Sequence, residues 1–420
     1  AGGTFAACTI TCKPFARDHL APRPQDHGTG ADHRLFWCDS EWLARDGASC
    51  ERAAGSGRAN QKTCVADYSL GEATMTNEAT AAVSAPVSRD LVAALSKYRD
   101  QDPVRSTFEL LVTAVPLVVL WIGAWAALSV SFWLTLLLAI PASAFLLRMF
   151  MIQHDCGHGS FFRRRATNDW VGRLIGVITL TPYDAWRHSH AVHHATSGNL
   201  DQRGTGDINT LTVREYLALP PWRRLVYRLY RHPAVMFGIG PAYLFLLRNR
   251  IPLSSDRPGA RSWISTMATN VGIALFITGM IKAFGVNALV LVHLPIVLLS
   301  ASIGVWLFYV QHQYEDTYWA HAKQWQHHEA AVHGSSHYDL PPVLRWFTAN
   351  IGVHHVHHLC SRIPFYRLQK VLREHPQLAG IGRMTIRDSL KTVKLKLWDE
   401  DQRRLVSFKD IRQARTASGG

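Results

Sequence analysis

Three histidine clusters carry the chemistry of this sequence: His154-Asp-Cys-Gly-His158, His190-Ala-Val-His193-His194 and His354-His355-Val-His357-His358. On a helix, positions i, i+3 and i+4 project from the same side, so each cluster can aim two or three imidazoles at one point. His312, in Val310-Gln-His312-Gln, adds a further ligand candidate. The candidate set is therefore His154, His158, His190, His193, His194, His312, His354, His357 and His358. A single zinc ion uses about three or four ligands, whereas this set suits two metals with open positions. Iron is the redox-active metal that makes two adjacent imidazole-rich sites chemically useful. Soluble di-iron bundles use glutamates with paired Glu-x-x-His motifs, which this chain lacks, so such a site would be of a histidine-rich kind.

The remaining histidines carry weaker expectations. His188 and His355 are out of phase with their clusters and are expected to support ligands or face solvent. Glu329, His333 and His337 would share a helical face able to meet a lipid headgroup, and His232, His293 and His375 are read as background. Asn350, four residues before His354, is placed to hydrogen-bond a ligand or a metal-bound water.

The elements that must position these residues are apolar. The hydrophobic fraction is 48% with 18% charged residues, and the apolar residues gather into long runs. Residues 108–128, 132–150, 263–283 and 289–310 each have about the 20 residues a membrane span needs. They pair as two hairpins with almost uncharged connections, while Lys and Arg concentrate in the long segments outside them. By that asymmetry both termini and the histidines are cytoplasmic, in what would be a bacterial inner membrane. Residues 171–180 and 234–247 are apolar but short, and are read as interfacial helices. The fold class expected is thus an all-α integral membrane protein, four spanning helices in two hairpins beneath a helical cytoplasmic cap. The net charge of +14 forms no single stripe and accompanies no nucleic-acid motif, which argues against nucleic acid as a partner. The spans hold almost no ionisable groups, which argues against a metal transporter with ligands at the bilayer midplane.

Five of the seven cysteines lie within the first 64 residues, a stretch without methionine, apolar periodicity or a recognisable zinc spacing. Residues 1–74 are read as disordered or as an over-extended start, with translation beginning at Met75. Residues 75–104 would form a polar leader and a short amphipathic helix, 105–405 the membrane domain and 406–420 a tail. Cys156 and Cys360, beside the histidines, are expected as free thiols.

The four passages HDCGHGSFF, AWRHSHAVHHATSGNLD, FYVQHQYEDTYW and TANIGVHHVHHLCSRIPFYRL, in this order and spacing, resemble the membrane fatty acid desaturase family, most of all its bacterial and plant acyl-lipid members. The resemblance spans about residues 105–405. It implies two irons held by the nine histidines named above. It also implies removal of two hydrogens from adjacent methylenes, forming a cis double bond as O2 is reduced to water. One departure is Gly159, where some relatives have a further histidine (HECGHH). The substrate implied is an acyl-lipid, or an acyl-CoA, with Δ12 or omega-6 selectivity. A hydroxylase or ketolase acting on another lipid is the alternative within the same chemistry. Electrons must come from outside, because the chain has no nicotinamide or flavin glycine fingerprint. It has no HPGG haem motif either, since Arg231-His232-Pro233 and Glu374-His375-Pro376 lack the glycines. A ferredoxin or cytochrome b5-like carrier is implied.

Overall fold

The computed structural model describes residues 89–252 and 259–418, so the readings of residues 1–74 and of the leader up to residue 88 lie outside the described residues. Helix α1 (Arg89–Leu95) is short. Asp102 then starts α2 (Pro103–Ala127), its carboxylate accepting from the N–H groups of Val104 and Arg105 while Pro103 needs no hydrogen bond at the first position. After a four-residue connection comes α3 (Phe132–His158), which extends beyond the apolar run to carry the first histidine cluster on its last turns. It stops at Gly159, whose φ of 65° is left-handed. That conformation disfavours a side chain, which gives a physical reason for glycine where some relatives carry histidine.

Then follow α4 (Arg165–Ile178), α5 (Tyr183–Thr196), α6 (Val213–Ala218) and α7 (Pro221–Tyr230). The second hairpin is α8 (Ala260–Phe284) and α9 (Val286–His312), the latter with a π turn at Leu289–His293. Helices α2, α3, α8 and α9 are 25, 27, 25 and 27 residues long and apolar enough to cross a membrane. Their patterning is inverted relative to a water-soluble bundle. Leu111, Val115, Val119, Ile264, Val271 and Leu275 are exposed, while Ser106, Glu109, Thr113, Thr135, Ser143 and Arg148 are buried. That is what a lipid solvent demands, since polar groups find partners only inside. Thr135 Oγ1, for example, donates to the Ala124 carbonyl of the neighbouring helix at 3.0 Å. The two segments read as interfacial lie in α4 and in residues 235–247, where two π turns interrupt the helix. Neither reaches spanning length, and Trp170, Leu174, Ile239, Tyr243 and Leu247 are exposed along them.

The cap is completed by α10 (His327–His333), α11 (Pro342–Phe347), α12 (His354–Leu359), α13 (Phe365–Glu374), α14 (Ile386–Thr392) and α15 (Phe408–Ser418). It also contains two small sheets that the histidine spacing did not anticipate. Strand β1 (His337–Tyr338) pairs in parallel with β2 (Arg383–Met384), and β3 (Leu395–Asp399) pairs antiparallel with β4 (Arg404–Ser407). The tail expected from residue 406 begins inside β4, and Phe408 beyond it packs 5.2 Å from the Tyr216 ring. Helix α3 is central, lying against α2, α4, α9 and α11.

Candidate metal centre

Four elements deliver the imidazoles. Helix α3 brings His154 and His158, α5 brings His190, His193 and His194, α9 ends on His312, and α12 brings His354, His357 and His358. Each element is held locally. The Tyr183 hydroxyl at the start of α5 donates to the Cys156 carbonyl of α3 at 2.8 Å. Helix α12 is wholly buried and follows a turn in which Ala349 and Asn350 both have left-handed φ, 50° and 55°. Gly352 closes that turn, because a Cβ there would lie 2.4 Å from the Tyr338 carbonyl oxygen.

The nine side chains form two groups, His154, His158, His190, His194 and His357 in one, and His193, His312, His354 and His358 in the other. Within each group the ligand atoms lie within 4.8 Å of one another. In the first, Nε2 of His190 stands 3.0 Å from that of His158 and 3.1 Å from that of His194, which is 3.1 Å from that of His357. In the second, Nε2 of His312 stands 3.2 Å from that of His193 and 3.0 Å from that of His354, which is 3.1 Å from that of His358. With metal–nitrogen bonds of about 2.1 Å, ligands at right angles stand about 3.0 Å apart and tetrahedral ones about 3.4 Å. The spacings therefore fit metal coordination by several imidazoles in each group. The groups adjoin, since the His194 and His358 rings stack at 4.1 Å.

Each cluster aims two imidazoles at one point, and the third member of the second and third clusters turns to the other group. His190 and His194 serve the first group and His193 the second, while His354 and His358 serve the second and His357 the first. On a helix, i and i+4 are close in azimuth but i+3 lies to the other side, so one three-histidine cluster fans across two neighbouring points. Helices α5 and α12 thereby couple the two groups.

Burial and neighbouring imidazoles hold the pKa of His190, His194, His354, His357 and His358 well below the ordinary value, which keeps their lone pairs available near neutral pH. Outer partners orient two rings. His193 Nδ1–H donates to Asp207 Oδ1 at 2.5 Å, and His312 Nδ1–H donates to the Gly334 carbonyl at 3.0 Å, leaving each Nε2 toward the site. Trp186 stacks on His190 at 4.8 Å, and a Cβ at Gly157 would come within 2.9 Å of that indole. Glycine inside the first cluster is thus a packing requirement.

Of the weaker expectations, His188 is exposed and His355 is buried, its Nε2–H donating to the Leu378 carbonyl at 2.9 Å. His337 does not share a helical face with Glu329 and His333, because α10 ends at His333 and His337 lies in β1 with its Nδ1–H on the Ala379 carbonyl. Asn350 donates its amide to the Phe365 carbonyl at 3.0 Å, and the Phe365 N–H donates to Asp155 Oδ2 at 2.8 Å. That bond ties the turn before α12 to the first residue of α13. His293 is buried in α9 against the Phe276 ring. Spacing missed Asp207, Gly334 and Trp186, of which Trp186 alone carried a signal, four residues before His190 on the same helix.

A bundle of four apolar helices bearing two adjoining histidine groups under a cap is a membrane protein whose histidine clusters fit a di-iron site. The fatty acid desaturase family model matches residues 131–389. A fatty acid desaturase of Bacillus subtilis is 45% identical over 324 residues, covering 77% of this chain and 92% of that protein. An endoplasmic reticulum omega-3 fatty acid desaturase of Vigna radiata is 28% identical over 296 residues, covering 62% of this chain and 70% of its own length. A Synechocystis sn-1 oleoyl-lipid 12-desaturase is 27% identical over 229 residues, covering 52% and 62%. The chain belongs to the fatty acid desaturase family, and is an oxidoreductase.

Proposed function

We propose that the nine histidines hold two iron ions, His154, His158, His190, His194 and His357 at one and His193, His312, His354 and His358 at the other. Iron there would supply the O2 activation needed to take two hydrogens from adjacent methylenes, with two electrons and two protons, yielding a cis double bond and two waters. The observation that carries this is the pair of adjoining imidazole groups inside a chain of this family.

The chain's own residues then have defined tasks. Asp207 and the Gly334 carbonyl hold His193 and His312 in the tautomer that presents Nε2. Phe308, with its ring 5.1 Å from His193, and Trp186 beside His190 screen the site from water. An acyl chain offers no polar handle at mid-length, so the bond attacked is set by how far the chain reaches past these walls.

The substrate proposed is an acyl-lipid and the new bond of the Δ12 or omega-6 type. Support comes from relatives named as lipid-linked desaturases, an oleoyl-lipid 12-desaturase and acyl-lipid omega-3 desaturases among them. Three relatives carry ferredoxin in their names, which supports a ferredoxin-type donor. The excess of Lys and Arg outside the spans supports a cytoplasmic site at a bacterial inner membrane. The test is a fatty acid methyl ester profile by gas chromatography and mass spectrometry, from bacteria expressing the full chain and supplied with a monounsaturated lipid. A new diunsaturated species is expected, with its second double bond toward the methyl end. A hydroxylated species contradicts the proposal, and a double bond elsewhere corrects its position.

A further inference from the structure

Electrons must enter from outside the chain, and the charge on the cap is not evenly spread. On one side, the turn after α12 and helix α13 carry Arg362, Arg367, Lys370 and Arg373, and the segment after α1 adds Lys97 and Arg99. Arg362, Lys370, Arg373 and Lys97 are exposed, while Arg367 and Arg99 are half-buried. The carboxylates interspersed are Asp100, Asp102 and Glu374, and Glu374 is shared between Lys97 at 3.3 Å and Lys370 at 3.6 Å. Two contacts make this surface preformed. The Tyr98 hydroxyl donates to Glu374 at 2.5 Å, and the Asp102 N–H donates to the Tyr366 hydroxyl at 3.0 Å.

Beneath it, short bonded routes lead to both histidine groups. Arg99 Nε–H donates to Cys360 Sγ at 3.1 Å, and Cys360 is two residues beyond His358. The Phe365 N–H, at the start of α13, donates to Asp155 Oδ2 at 2.8 Å, and Asp155 adjoins His154. On the side of the β3–β4 hairpin, by contrast, carboxylates are plentiful and several cations pair with them. Arg214 pairs with Asp401 at 2.7 Å, Arg404 with Glu315 at 3.0 Å, and Arg203 with Glu215.

We propose that the surface formed by α13, the Cys360–Ile363 turn and residues 97–99 is the docking site of a small acidic one-electron carrier. The inference rests on the reading of the chain as a desaturase fed by a ferredoxin-type donor. Each docking oxidises one carrier by one electron, and two dockings, two protons from solvent and the two hydrogens taken from the substrate together reduce O2 to two waters. Unlike charges across such a surface raise the rate of encounter more than they stabilise the complex, and salt screens them.

The test uses the full chain in membranes with a reduced plant-type 2Fe–2S ferredoxin, regenerated by NADPH and its reductase, and follows diunsaturated product against ferredoxin concentration. Arg362→Glu, Lys370→Glu and Arg373→Glu combined are expected to raise the KM for ferredoxin about tenfold, with iron content and kcat at saturating carrier unchanged. Lys370→Gln alone gives a smaller rise in the same direction, and salt raises the wild-type KM more than that of the triple variant. Arg214→Glu with Arg404→Glu, on the hairpin side, leaves KM unchanged. A triple variant with wild-type KM overturns the docking site while leaving the desaturase reading intact. Wild-type protein that makes no product at any ferredoxin concentration overturns the carrier reading, and the docking site with it.

Discussion

At His193 and His312 the ring nitrogen that faces away from the site is held by an acceptor, Asp207 Oδ1 in one case and the Gly334 carbonyl in the other. Such partners fix ring orientation and ligand basicity, and their loss typically costs about 10- to 100-fold in metal affinity or activity. Asp207→Ala is therefore expected to lower iron occupancy and product formation by that order, read by metal analysis and product yield. His193→Ala and His357→Ala, which each remove a proposed ligand, are expected to abolish product while the protein still inserts in the membrane. Full activity in either variant contradicts the ligand assignment. The three histidine clusters that the structure brings together were legible because i, i+3 and i+4 spacing is a property of the helix itself. Asp207 was not, because it lies in a loop where Gly204 and Gly206 take left-handed φ and no periodicity marks which residue turns inward.

Among the elements, the first hairpin holds a pair whose meaning was visible only in part. The apolar run beginning at residue 108 has one acid near its start, Glu109, and the run ending at residue 150 has one base near its end, Arg148. In an antiparallel hairpin those two ends lie at the same level, and the structure buries the two side chains as an ion pair. Arg148 also bonds Thr113 Oγ1 at 3.2 Å and the Trp346 carbonyl, with its guanidinium 4.0 Å over the Trp346 ring. The pair thus ties both helices of the hairpin to α11, just ahead of the turn that launches α12. Removing one partner of such a buried pair costs about 3–5 kcal/mol, whereas replacing both with apolar groups is often neutral. Arg148→Met alone is expected to lower the unfolding temperature in detergent sharply, and Arg148→Met with Glu109→Leu to recover most of the loss. Equal melting of the single and double variants would sink this account. The helix ends were less legible than the helices, because hydropathy marks where lipid stops, whereas α3 and α9 continue past that level to carry His154, His158 and His312.

For the molecule as a whole, burying so many imidazoles ties stability to pH. His355, buried against the Leu378 carbonyl, is pushed down to about 3, and five of the proposed ligands outside the spans are also depressed. A histidine depressed in the folded state binds a proton more readily when unfolded. Its contribution is complete above the unfolded value of 6.5 and is lost as pH falls toward the folded value. Each such group removes about 1.4 kcal/mol per pH unit within that window. Metal-free protein is accordingly expected to melt at steadily lower temperature as pH is reduced from 6.5, with a slope reflecting several groups at once, and to show little change above neutrality. A flat profile between pH 6.5 and 5 contradicts the picture of neutral, buried imidazoles. The four-helix architecture followed from apolar run length, but the β3–β4 hairpin did not. Its strands are only five and four residues long, too short for alternation to stand out from the adjoining helices.

The most direct test of the central claim is the metal content of the purified protein, measured by mass spectrometry of the elements alongside protein concentration. Two irons per chain, falling in both His193→Ala and His357→Ala, is the expected result. One metal per chain, or zinc in place of iron in protein that is active, would contradict the assignment of the nine histidines to an iron pair.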